Sequence, residues 1–217
     1  MRTLTRKLAF AGGSIAVALV LFPPLSTVAE QLFAFHMVQH LLLIAVAAPL
    51  FAASRAFEGL QRHAAVRKLT QPVTAWIAFV GVFLFWHWPA AFQWAAARET
   101  TRLLEFASIL IAALLFWSVA LSPKGQGWFS YGGRALFVMT AAVATDLPGV
   151  IMVFSPQSIC AMPDENAALW GLTPMQDQQI AGMLMWVPAN LIFFGIATWL
   201  FALWISDSHK NSAQVMT

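Results

Sequence analysis

Two imidazoles stand four residues apart inside an apolar run, Phe35-His36-Met37-Val38-Gln39-His40-Leu41-Leu42-Leu43, which continues through Ile44 to Pro49. Residues i and i+4 of a helix share a face, so His36 and His40 project side by side with Gln39 close to that face. Convergent imidazoles make half a metal site, because borderline and soft metals take this ligand readily. The alternative use of such groups is hydrogen bonding to neighbouring helices within a bundle. A third imidazole, His87, is bracketed by indoles in Phe85-Trp86-His87-Trp88-Pro89. Asp146 lies in another apolar run, ahead of Pro148 and Gly149, and a carboxylate there is a candidate ligand, a relay, or the partner of a neighbouring helix. Asp177 opens the last run, which carries Met183 and Met185; thioethers suit soft metals and also serve as apolar filler. The single cysteine, Cys160, excludes an internal disulfide and any CxxC pattern, leaving a small hydrophobe or a soft-metal ligand.

The elements that must hold these groups are membrane helices. With 60% hydrophobic and only 10% charged residues among 217, and a mean hydropathy of +0.72, the chain lies outside the range of soluble domains. Eighteen Phe and ten Trp fit lipid-facing and interfacial positions, and the bases fall between apolar runs without forming a stripe, so no nucleic acid is expected as a partner. Runs of about 20 apolar residues give six spans, roughly 8–28, 32–53, 73–97, 103–121, 134–156 and 180–205, in one domain over 1–217. The fold class expected is all-α, a polytopic membrane helix bundle. Arg2, Arg6, Lys7, Arg55, Arg62, Arg67, Lys68, Lys124, Arg134 and Lys210 fall on one side of it, against Arg98 and Arg102 on the other. By the positive-inside rule both termini are then cytoplasmic. The first run also resembles a signal segment ending at Thr27-Val28-Ala29, but its length favours an uncleaved helix. Loop 54–72 reads as a basic, surface-lying connection attracted to anionic lipid, and Ser122-Pro123-Lys124-Gly125-Gln126-Gly127 as a turn. Arg102 and Glu105, three apart, read as a local ion pair.

Topology and residues together segregate the costly side chains by leaflet. His36 and His40 sit about 6 and 12 Å below the outer surface, and His87 about 15 Å. Glu105, Asp146, Asp177, Met183 and Met185 also fall in the outer halves of their helices. The outer loop 157–179 adds Cys160, Met162, Asp164, Glu165 and Met175 without a single Lys or Arg. These placements predict an outward-opening polar cavity whose imidazole, thioether and carboxylate inventory suits copper better than a hard cation. No HExxH, GxSxG, Walker loop or GxGxxG appears, so nothing supports an enzyme.

Three ordered blocks carry a resemblance: His36-Met37-x-Gln39-His40-Leu41-Leu42-Leu43, then Trp86-His87-x-Pro89, then Asp177-Gln178-Gln179-x-Ala181-Gly182-x-x-Met185-Trp186-x-Pro188. Over about residues 30–200 the chain resembles the CtaG-type cytochrome c oxidase assembly family. That resemblance implies a multi-pass plasma-membrane protein required to mature a haem-copper oxidase, helping copper reach an oxidase subunit. It carries His36, His40 and His87 over as candidate ligands, with Asp177 and Met185 beside them. Where the family commonly has HxxEH, this chain has Arg102, Leu103, Leu104, Glu105 and Phe106, keeping the carboxylate and losing both imidazoles. The expectation is a site for Cu(I) in exchange with an oxidase subunit or an external copper chaperone. The rivals are a metal or proton permease relaying through Asp146, and a membrane cytochrome. In a cytochrome His87 would have to be the second axial ligand, because His36 and His40 share one face.

Overall fold

Away from water a backbone must satisfy its own hydrogen bonds, and every long apolar run here does so by coiling. The computed structural model describes residues 2–122, 129–160 and 164–215. The turn expected at 122–127, apart from Ser122, and Met162 lie outside those residues. Helix α1 (Arg2–Leu21) stops ahead of Phe22-Pro23-Pro24, earlier than the expected 28, because proline offers no N–H to continue it. A short α2 (Leu25–Ala29) leads into the second span.

That span, Phe33–Ser54, agrees with the expected 32–53 but is not uniform. It consists of α3 (Phe33–Leu41), a π-helical stretch Leu42–Ala47 and α4 (Ala48–Ser54). Pro49 explains the wider turn. The Ala48 N–H reaches back five residues to the Leu43 carbonyl, and in that register Pro49 would serve Ile44 but has no proton to give. The Ile44 carbonyl accepts instead from the Trp117 indole Nε1, at 2.7 Å.

A surface connection with α5 (Ala64–Leu69) precedes the third span, and here one helix over 73–97 was expected. The structure corrects this to α6 (Pro72–Trp86) and α7 (Pro89–Ala96), bent 72° from each other. The ring of Pro89 excludes the helical bond to the Phe85 carbonyl, which accepts from Trp88 N–H at 3.1 Å in a tighter turn. The remaining elements are α8 (Glu99–Ala120), α9 (Tyr131–Phe154), the short α10 (Asp164–Leu169) and α11 (Pro174–Val215). Among the described residues five helices are long and apolar enough to cross a membrane, six with the bent pair counted as one span.

Helix α8 is the hub, packing on α4, α6, α7 and α9, while α1 lies outside against α4 and the π stretch. The core is aromatic: Phe116 stacks on Phe79 and Phe137, and Trp117 meets Phe193 at 4.9 Å between ring centroids. Helices α9 and α11 cross backbone to backbone. A Cβ added to Gly182 would stand 2.7 Å from the Gly149 carbonyl oxygen, so only glycine permits this approach.

Candidate metal centre

Helix α3 is held at three heights before its imidazoles do anything. Its first turn has no side-chain cap of its own. The free Phe33 and Ala34 N–H groups donate instead to the two oxygens of Asp177 on α11, at 2.8 and 2.9 Å. An anion at a helix N-terminus also satisfies the helix dipole. One turn on, Gln39 Nε2 donates to the Val20 carbonyl at the end of α1, at 2.7 Å. Below lies the Trp117 bond to Ile44. Three unrelated helices therefore fix the rotation of α3, and that rotation turns His36 and His40 onto α8.

What they meet there is Glu105. His36 Nε2 lies 3.2 Å from Glu105 Oε1 in hydrogen-bonding geometry, and His40 Nε2 lies 3.1 Å from the same oxygen without aligning as a hydrogen bond. One ligand atom from each of the three falls within 4.8 Å of the others. The group is closed in, with relative exposures of 3%, 1% and 0% for His36, His40 and Glu105. This replaces the open outer cavity expected from sequence. The rings of Phe33, Phe92 and Phe106 pack around the imidazoles, the last two both 5.7 Å from His36 between centroids. His87 stands at the α6–α7 break, its ring 5.3 Å from that of His40. Its Nδ1 donates to the Phe83 carbonyl at 2.6 Å, so Nε2 keeps its lone pair.

Do these residues fit a metal? Among the described residues six buried side-chain nitrogen or oxygen atoms lack a hydrogen-bond partner, and four of the six are His40 Nδ1 and Nε2, His87 Nε2 and Glu105 Oε2. A cluster that existed only to satisfy itself would not concentrate its unpaired atoms in one place. Imidazole and carboxylate ligands at about 2.0–2.2 Å from a tetrahedral ion stand roughly 3.3 Å apart. The His–Glu spacings are close to that edge, and a backbone carbonyl on the far nitrogen, as His87 has, is the usual orienting contact for a metal-ligating histidine. The donor set fits.

Of the other candidates only Met185 comes near this group. Asp177 is the anchor of α3 just described. Asp146 accepts from Asn190 Nδ2 with both oxygens, 3.0 Å each, tying α9 to α11. Met183 is 53% exposed on the outer face of α11. Met185 is buried and lines a small cavity of about 30 Å³ together with His40, Thr145 and Phe193. Cys160 is buried, and burial pushes its thiol up to about 11. Its backbone N–H and that of Ile159 donate to Gln178 Oε1, whose amide donates in turn to the Met152 and Gln157 carbonyls. The expected Arg102–Glu105 pair is not formed. Arg102 reaches out to Glu30 at 2.6 Å and leaves Glu105 to the histidines. Of the two sequence readings of Glu105, the ion pair with Arg102 fails and the grouping with the outer-half polar residues holds. The signal for it was a carboxylate in an apolar helix, six residues past the start of α8.

Fold and site define a multi-pass membrane protein with a buried two-histidine, one-carboxylate group between its second span and α8. The chain belongs to the family described as cytochrome c oxidase caa3 assembly factor (Caa3_CtaG), whose model matches residues 2–207. No curated protein and no solved structure matches it.

Proposed function

We propose that this protein carries copper as cargo during maturation of a caa3-type haem-copper oxidase, in the plasma membrane and with both termini in the cytoplasm. His36 and His40 Nε2 and a Glu105 oxygen take the ion, and His87 Nε2 stands by as a further ligand. The observation that carries this reading is the concentration of unpaired donor atoms on His40, His87 and Glu105. A transient carrier needs few ligands and an exchangeable geometry, and the thioether of Met185 beside His40 supplies a soft neighbour for Cu(I). A space of about 30 Å³ lined by His40 and Met185 adjoins the group and is large enough for an ion. The ion would come from an external copper chaperone and pass to an oxidase subunit.

Equilibrium dialysis against copper under reducing conditions tests this. One equivalent is expected for the wild-type protein, with binding lost in the His36→Ala/His40→Ala variant. Equal stoichiometry in the two proteins would overturn the assignment. In cells lacking the protein, the oxidase is expected to keep haem and lose copper.

A further inference from the structure

A groove of about 930 Å³ runs along the face formed by the start of α6, the first half of α9 and the later part of α11, remote in sequence from the histidines. Its walls are apolar, with Val73, Leu136, Met139 and Phe201 among them. At one end Trp204 packs against Gly132, where an added Cβ would lie 3.2 Å from the indole. Toward the other end Trp76 Nε1 donates to Thr140 Oγ1 at 3.2 Å. From Gly132 to Thr140 is eight residues of helix, or about 12 Å.

Exposed bases precede the groove wall in the chain, just ahead of Pro72. Arg67 and Lys68 are exposed in the last turn of α5, which packs on α6 four residues before Pro72 of the groove wall. Arg134 does not belong to the groove lining: it is buried under Tyr131 and donates to the Ser122 carbonyl. Glu58 is taken by Arg55, leaving Asp207 as the exposed acid near Trp204. All three walls are membrane-spanning helices, so whatever lies along Leu136 and Met139 must be apolar. Whatever extends past Pro72 meets the exposed Arg67 and Lys68, with Asp207 one turn beyond Trp204.

We infer that this groove is a binding site for one acidic phospholipid, with an acyl chain along α9 and the phosphate at the Arg67/Lys68 end. An apolar slot leading to a basic end matches an amphiphile with a negative head, and basic pockets between membrane helices select such headgroups. A partner's membrane helix fits worse, because helix ends on the cytoplasmic side are themselves rich in Lys and Arg.

Native mass spectrometry of the full chain, delipidated and titrated with phosphatidylglycerol or phosphatidylcholine, tests the site. One phosphatidylglycerol is expected to bind in preference to phosphatidylcholine. Thr198, exposed on the groove wall, is replaced in Thr198→Trp to fill the slot, and bound lipid should disappear. Arg67→Gln/Lys68→Gln should lower the affinity for phosphatidylglycerol about fivefold per charge and leave phosphatidylcholine binding unchanged. Equal affinity for the two lipids in the wild type overturns the inference, as does undiminished lipid on Thr198→Trp, or a dimer that Thr198→Trp dissociates. Should Thr198→Trp not fold, the charge variant decides alone.

Discussion

Glu105 Oε1 faces two imidazole nitrogens at 3.1 and 3.2 Å, so the carboxylate is the one anionic donor in the proposed copper site. Glu105→Gln keeps the shape and removes the charge. Copper affinity should fall by at least about tenfold. Thermal stability should hold or rise, because a buried carboxylate without a full set of partners is costly to keep. Loss of both together, read by copper titration and a melting curve, would point to a purely structural role. The pairing of His36 with His40 was legible from their spacing, since four residues on a helix allow little else. Their contact with Glu105 was not. Arg102 three residues away offers an equally good local partner, and only the position of Glu30 draws that guanidinium outward.

The elements owe their placement to polar contacts between residues distant in sequence. Asp177 serves the N-terminus of α3 from 144 residues further along the chain. Asp177→Ala leaves the Phe33 and Ala34 N–H groups buried without acceptors, a cost of about 1–3 kcal/mol, and frees α3 to rotate. The variant is expected to melt earlier in detergent and to bind copper more weakly, with Asp177→Asn intermediate. Gly182 has no such tolerance. Gly182→Val drives a branched side chain against the Gly149 carbonyl and Met152, and overpacking of this kind costs about 1–3 kcal/mol or more. Its lower melting temperature should be recovered in part by no change at Gly149, because glycine there is already the smallest residue. The six apolar runs were legible as lengths of hydrophobic chain. The break between α6 and α7 falls at Pro89, inside what was expected as a single span over 73–97; beyond the 72° bend α7 packs on α8 and α6.

At the scale of the molecule, the asymmetry of Lys and Arg sets how the bundle should sit. A fluorescent protein fused after Thr217 is expected to fold and fluoresce, and a phosphatase inserted after Phe154 to be active, because the six-span reading would put ten of the twelve bases on the side opposite the latter. A dark C-terminal fusion would reverse the orientation and place His36 in the inner leaflet. By itself the sequence determined a membrane-embedded helical protein, its family, and the helices that carry the imidazoles. Composition, run length and i,i+4 spacing are local quantities, and local quantities can be read along a chain. The tertiary structure alone decided that Glu105 joins the histidines, that Asp177 and Asp146 are spent on backbone N–H groups and an asparagine, and that the centre is closed by phenylalanine rings. Each of those outcomes depends on how one helix is rotated against another, and that rotation is set by contacts up to 144 residues apart.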